Sequence, residues 1–497
     1  MLIPEILLLT GLALVIRLLG RSALRGWLVL AASVICIYWL QPAMPIRYLD
    51  FWLPTATLAL TVISWLLTTP GEAIFTRENA LAGGLIAGLV LLTGLTRYIG
   101  PGDWLTAGRP PAYPQVLAAL AGMIVITGAL ALAKRKLSQR AALDAEGTQK
   151  PGQIIPAALG GAIIILIALL IALKAPPLAL LSAQGLRAWA GQNPALATAL
   201  DIRWLGFSYV CFRLIHTLRD RQTGRLPTVN LQAYASYVVF FPSFVAGPID
   251  RLERFTGDFC RAVKPLTDPQ AGEDLQAAGR RLAVGLFKKF AIADTLALVA
   301  LNPQNASQVN EAGWMWLLLY FYAFQIYFDF SGYTDIAIGL GMLLGIKLPE
   351  NFAAPYLKPN LTQFWNSWHM TLTQWFRAYY FNPLVRWLRK RKKDLSPSLV
   401  LLLTQVTTML LIGLWHGVTV NFVLWGLWHG LGLFVQNRWT DLTRGWFAAR
   451  NFSPGQQRAM QVFSTLLTFH FVALGWVFFV LPSPELAGKV LLTLFGM

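Results

Sequence analysis

Five histidines occur in 497 residues, and three of them sit in apolar surroundings rich in tryptophan. His416 is the fourth residue of the pentapeptide Gly413-Leu-Trp-His-Gly417, and His429 holds the same place in a second copy, Gly426-Leu-Trp-His-Gly430. His369 closes Phe364-Trp-Asn-Ser-Trp-His369. Burial penalises the charged form of an imidazole, so a sheltered histidine stays neutral and therefore basic. Such a ring can take the proton of an alcohol as its oxygen attacks a thioester carbonyl, which is general-base catalysis. For each histidine taken alone, a hydrogen-bonded core residue beside tryptophan fits equally well. An uninterrupted helix through 416–429 would hold its two imidazoles about 20 Å apart on roughly opposite faces, so both could not serve one atom.

A second group of polar residues, Asp329, Ser331, Tyr333, Thr334 and Asp335, interrupts the apolar stretch 314–345. Ionisable groups at membrane depth are costly and mark candidate sites. Asp329 and Asp335 could bind a cation or relay protons as in a transporter or a flippase for lipid-linked glycans. The plainer alternative is that they cap or pair within a broken helix. No HExxH, GxSxG or Walker sequence occurs, and no carboxylate stands at metal-ligand spacing from these three histidines, so no metal is expected. Cys36, Cys211 and Cys260 lie far apart and suggest neither a disulfide framework nor a zinc site.

The elements that carry these residues must be membrane helices. Hydrophobic residues make up 56% of the chain and charged ones only 13%, too few to solvate a protein of this length. Runs near 2–16, 26–42, 51–69, 80–97, 115–133 and 155–173 read as spans of the ~20 apolar residues a bilayer requires. Further spans are expected near 204–218, 396–415, 418–435 and 461–482. The first run is read as a span and not as a signal peptide, because the chain after it is just as hydrophobic. The net charge of +18 comes from Lys and Arg gathered between spans: Arg17, Arg21 and Arg25; Lys134 to Lys136 at the head of a loop 134–150; Arg219, Arg221 and Arg225; and Arg389 to Lys393. That is the positive-inside pattern of cytoplasmic loops and not a nucleic-acid surface. The 389–393 cluster could also attract the phosphates of coenzyme A or an acidic carrier protein. Segment 231–249, with Pro242, Gly247 and Pro248, reads as a re-entrant hairpin of broken helix. Leu361, Phe364, Trp365, Trp368, Leu372, Trp375, Phe376 and Tyr379 recur at helical spacing, which predicts an amphipathic interfacial helix over 360–381 with His369 on its apolar face. Asn360 stands where its N-cap would be.

Several ordered segments together resemble the membrane-bound O-acyltransferase family, in its bacterial branch of alginate O-acetylation proteins and D-alanyl-lipoteichoic acid transferases. They are Phe241-Pro-Ser-Phe-Val-Ala-Gly-Pro-Ile-Asp-Arg251, Tyr327-Phe-Asp-Phe-Ser-Gly-Tyr-Thr-Asp335, Pro349-Glu-Asn-Phe352 with Pro355-Tyr356, Phe364-Trp-Asn-Ser-Trp-His-Met-Thr-Leu372, and the two Gly-Leu-Trp-His-Gly copies. The resemblance covers roughly 155–490. It implies an all-α polytopic membrane protein, with re-entrant and interfacial helices around a central tunnel. By the same resemblance His416 matches the family's essential histidine and His369 its second position. Asp329, Ser331, Tyr333, Trp365, Trp415, Asn421 and His429 are the expected tunnel-lining residues. Residues 1–150 would be additional N-terminal helices and 151–497 the catalytic core. The implied reaction moves an acyl group, acetyl foremost, to a hydroxyl of a cell-surface polysaccharide, a glycan precursor or a partner protein. The donor would be a cytoplasmic thioester, acetyl-coenzyme A or an acyl carrier protein, with no bound cofactor. The implied surroundings are the lipid of an inner or plasma membrane and an extracytoplasmic acyltransferase that completes the transfer. No nucleic acid is expected.

Overall fold

The computed structural model describes residues 2–19, 22–99, 105–143, 154–261, 268–391 and 394–497. Among them the chain is helical throughout, with no strand. Arg21, Lys392 and Lys393 of the expected basic loops, and residues 144–150 of loop 134–150, lie outside the described residues. Among the described residues six helices are long and apolar enough to cross a bilayer: Leu49–Thr68, Arg77–Tyr98, Tyr113–Lys136, Ala157–Lys174, Pro397–His416 and Pro454–Val480. The protein is an all-α polytopic membrane protein. Its described chain divides into two compact bodies, Met1–Arg281 with Ala337–Leu348, and Leu282–Ile336 with Pro349–Met497.

The first body holds α1 (Ile3–Leu19), α2 (Ser22–Trp39), α3 (Leu49–Thr68), α4 (Arg77–Leu95), α5 (Tyr113–Leu143), α6 (Ile154–Lys174), α7 (Pro176–Trp189), α8 (Phe207–Gln222), α9 (Leu231–Val238), α10 (Leu252–Phe259) and most of α11 (Pro269–Leu286). Lys134 to Lys136 continue α5 where a loop was expected, and Lys134 Nζ donates to the carbonyls of Leu66 and Leu67 at 2.6 and 2.7 Å. Those carbonyls end α3, where a cation satisfies groups the helix leaves open. Segment 231–249 is broken as its prolines predict, and the break has a cause. Asn230 caps α9, and the Arg213 guanidinium takes the carbonyls of Tyr237, Val238 and Ser243 at 2.8–2.9 Å, ending the helix after two turns. The irregular backbone that follows is buried in protein, the one setting in which a membrane tolerates it. His216 accepts from the Leu252 N–H at 3.3 Å, and its other nitrogen faces Asp220 at 3.3 Å, which anchors the start of α10.

The second body holds α12 (Asp294–Ala297), α13 (Pro303–Gln308), most of α14 (Ala312–Leu343), α15 (Leu361–Trp365), α16 (Met370–Phe376), α17 (Asn382–Arg391), α18 (Pro397–His416), α19 (Val420–Ala448), α20 (Pro454–Val480) and α21 (Pro484–Leu494). α18 and α19 fold back on each other through residues 417–419, so the histidines of the two pentapeptides are not on one helix. Glycine makes the hairpin close. A Cβ on Gly413 would stand 2.3 Å from the Phe422 carbonyl, and one on Gly426 2.8 Å from the backbone of Leu410. Small residues that bring backbones together are the usual contact of membrane helices.

Candidate active site

The helix expected over 360–381 is not continuous, and the difference decides where His369 lies. α15 stops at Trp365 and α16 starts at Met370, with His369 between them in the left-handed region at φ 41, ψ 53. The stripe that joined it to Leu372 and Phe376 therefore does not exist as one helical face. The break is made by the segment 351–353. The Asn351 carbonyl accepts from Met370 N–H at 3.0 Å, and Ala353 N–H donates to the Ser367 carbonyl at 3.0 Å. Asn351 Oδ1 accepts from both Thr371 N–H, at 3.2 Å, and Thr371 Oγ1, at 2.6 Å. These bonds replace the helical ladder across 366–369 and offset a strain of order 1–2 kcal/mol for a non-glycine residue in that conformation. A second helical break follows, a π-type turn over Arg377–Phe381. The N-cap is as expected, with Asn360 accepting from Gln363 N–H at 2.9 Å.

The same oxygen fixes the His369 ring. Asn351 Oδ1 is an acceptor, because a backbone N–H donates to it, and it stands 3.3 Å from His369 Nδ1. Nδ1 then carries the proton and Nε2 carries the lone pair. The ring is 3% exposed, with Phe330 edge-on at 4.7 Å and the Trp415 indole at 6.3 Å between centroids.

His416 is the last residue of α18, half-buried where the other two histidines are buried. Its ring meets Trp415 at 4.6 Å, Phe479 at 4.8 Å, Trp425 at 5.8 Å and Phe422 at 5.9 Å. Gly417 lets Phe422 stack at the helix end, since a Cβ there would stand 2.7 Å from that ring. Trp415 is thus flanked by His369 and His416, and Trp425 by His416 and His429. The three imidazoles stand in a row with one indole between each pair.

The remaining expected residues separate by position. His429 is 0% exposed and closed in by Trp425 at 4.9 Å, Trp365 at 5.2 Å and Phe471 at 5.9 Å. Among the described residues neither of its nitrogens has a hydrogen-bond partner, nor does Trp365 Nε1. Asn421 is a clamp, donating from Nδ2 to the Leu481 carbonyl at 2.6 Å. Asp329 and Asp335 are both ion-paired, as the plainer alternative had it, but on an unbroken α14 and not within a broken helix. Lys288 meets Asp335 at 2.7 Å, and Lys289 meets Asp329. Both lysines come from a π-helical turn over Phe287–Ala293, brought close by Gly285 crossing Gly332. Ser331 and Tyr333 are buried on the same helix. Asn351, Trp425, Phe479 and the two lysines were not singled out from sequence. Only Asn351 had a signal, its place in Pro349-Glu-Asn-Phe352. No cluster of three metal-ligating side chains occurs among the described residues.

An all-helical membrane protein with neutralised carboxylates and a half-buried histidine at a helix end has the makings of a group-transfer site in the bilayer. Residues 162–466 match the family model of the membrane-bound O-acyltransferases, and the chain belongs to that family. It is similar to a probable alginate O-acetylase AlgI of Pseudomonas fluorescens, 34% identical over 61% of this chain and 56% of that one. It is also similar to a teichoic acid D-alanyltransferase of Streptococcus thermophilus, 32% identical over 48% of this chain and 58% of that one. A peptidoglycan O-acetyltransferase of Helicobacter pylori is 34% identical over 53% of this chain and 46% of its own. The matches take in about half the length of these relatives. All three histidines of the row fall inside the family match.

Proposed function

We propose that this protein is a membrane-bound O-acyltransferase that moves an acyl group, acetyl foremost, from a cytoplasmic thioester to a hydroxyl of a cell-envelope polymer, its precursor or a partner protein. His416 takes the proton of the attacking hydroxyl as its oxygen bonds to the thioester carbonyl carbon. The carbon–sulfur bond then breaks, and the proton passes to the departing thiolate. No cofactor is consumed. His369, its Nδ1 proton directed at Asn351, orients substrate or assists through Nε2. Asp329, Ser331, Tyr333, Trp365 and Trp415 belong to the walls of the passage that brings donor and acceptor together. The acceptor class rests on the relatives, whose names give alginate, teichoic acid and peptidoglycan. The donor is acetyl-coenzyme A or an acyl carrier protein, the membrane is the inner or plasma membrane, and an extracytoplasmic acyltransferase completes the transfer.

The observation that carries this reading is the half-buried imidazole of His416 at the open end of α18, one indole away from His369. A base that must meet two substrates cannot be sealed, and His416 is the one member of the row that is not. The test is purified protein in liposomes given labelled acetyl-coenzyme A and labelled acyl carrier protein in separate trials, with envelope polysaccharide as acceptor. His416→Ala should lose transfer while still extracting as a monodisperse protein. Full transfer by that variant sinks the assignment. A protein that instead moves solute across the liposome, and stops on replacement of Asp329 and Asp335 by Asn, is a transporter.

A further inference from the structure

On the far side of Phe471 from His429, α19 and α20 together with residues 359–361 line a cavity of about 940 Å³, within the size range of ligand pockets. None of the residues expected at the acyl-transfer site lines it. Its α19 wall is a stripe that repeats every three or four residues from Trp428 to Phe447, about 28 Å of helix. That exceeds the ~20 Å depth of one leaflet with its headgroups. Polarity rises along this length: the inner end is mostly hydrocarbon, from Leu431, Val435 and Leu467 with Gln436 and Thr468 among them, and the outer end offers Thr440, Thr443 and Arg444 beside Phe447. Gly432 bares the floor, where a Cβ would stand 2.2 Å from the Phe471 ring.

The outer end is also basic. Residues 436–459 contain four arginines and a single acid, Asp441, which Arg438 and Arg444 share. Arg450 lies over the Trp446 ring at 3.7 Å, and Trp439 and Trp446 are exposed, the aromatic and basic pairing of a membrane–water interface. Arg438 donates to Ser398 Oγ at 2.8 Å, which levels this end with the start of α18, just after the Arg389, Lys390 and Arg391 turn of α17. By the positive-inside rule that side is cytoplasmic, the leaflet to which anionic headgroups are drawn.

We propose that the α19–α20 groove binds one anionic glycerophospholipid of the cytoplasmic leaflet, its phosphate at Arg444 and one acyl chain along Leu431, Val435 and Leu467. The gradient from hydrocarbon to guanidinium is what a lipid presents, and a soluble metabolite does not. The site is independent of the acyl-transfer reading and stands if that reading fails.

The full-length protein in detergent, given phosphatidylglycerol and phosphatidylcholine at equal mole fraction, is observed by native mass spectrometry. One retained phosphatidylglycerol per chain is expected, in at least tenfold excess over phosphatidylcholine. Arg444→Gln should remove the preference, and Leu467→Trp, which fills the apolar end from an exposed position, should remove both lipids. In the unaltered protein, a phosphatidylglycerol carrying a diazirine in its chain should label peptides within 359–361, 428–447 and 464–471, with excess phosphatidylglycerol competing. Equal retention of both lipids overturns the proposal, as does labelling elsewhere. A dimer mass abolished by Leu467→Trp overturns it too, since the groove would then hold a second copy of this chain.

Discussion

A histidine between tryptophans is the same sequence signal whether it sits in a wall or faces a passage, and the three imidazoles differ only in what surrounds them. His416 is half-buried, whereas His429 is closed in by rings on several sides, its ring nitrogens without a hydrogen-bond partner among the described residues. Replacing a general base costs a rate factor of about 10²–10⁴. His416→Ala is therefore expected to lower acyl transfer by that factor with little change in thermal stability. His429→Leu, an apolar side chain in an apolar box, should keep the rate within about threefold. Equal losses in both would mean that closure of the ring does not separate core from site. Asn351 gives a second expectation at this scale. Its Oδ1 organises Thr371 and His369 together, so Asn351→Leu leaves buried donors unpaired at a cost of about 1–3 kcal/mol. Asp supplies the same acceptor oxygen, and Asn351→Asp should recover more activity than Asn351→Leu. Equal activity in the two would make the contact purely one of packing. The histidines were legible in the sequence because an imidazole in an apolar run is conspicuous. Asn351 was not, because its role depends on a partner eighteen residues away.

At the scale of elements, what the sequence concealed was interruption. The aromatic spacing over 360–381 is real, but spacing measures a preference for helix, not its continuity. Bonds from 351–353 cut the helix at 366–369, and a π-type turn loosens it again at Arg377. The hairpin of α18 and α19 was half legible. The repeated pentapeptide marked the two helices, while its glycines, passive in a reading aimed at chemistry, are where the backbones touch. A Cβ at Gly426 meets the Leu410 backbone and cannot be relieved by moving a side chain. Overpacking of this kind costs about 1–3 kcal/mol, so Gly426→Val should lower the detergent melting temperature by several degrees. Gly445 on the same helix has open space around its Cβ position, and Gly445→Ala should be neutral or gain about 0.5–1 kcal/mol from helix propensity. A melting temperature that falls alike for both would show that loss of glycine, not contact, is responsible.

For the whole molecule, the sequence suggested a catalytic core beginning near residue 151, preceded by helices additional to that core. The packing of the first body argues that these helices are part of what the core is built on. α9 is only two turns long and cannot hold itself in place. Its Tyr234 hydroxyl shares hydrogen bonds with Ser64 of α3 at 2.8 Å and Thr217 of α8 at 2.7 Å. The backbone N–H of Leu231, at its start, donates to Asn79 of α4 at 2.8 Å, and Trp65 of α3 donates to the Val229 carbonyl at 3.0 Å. Arg25 of α2 takes the carbonyls of Leu344, Phe259 and Arg261. A chain that starts at 151 keeps only the Thr217 bond to Tyr234 and loses the partners of the Leu231 N–H and of the Leu344 and Phe259 carbonyls, buried groups that cost about 1–3 kcal/mol each when left open, against a total stability of order 10 kcal/mol. Residues 151–497 expressed alone are therefore expected to aggregate on extraction. Residues 1–150 supplied as a separate chain should co-purify with them and restore a monodisperse particle, because the contacts are non-covalent hydrogen bonds and do not need the covalent link. A monodisperse fragment 151–497 that transfers acyl groups by itself would make the first helices an accessory, and would move the boundary of the functional unit back to where the sequence alone had put it.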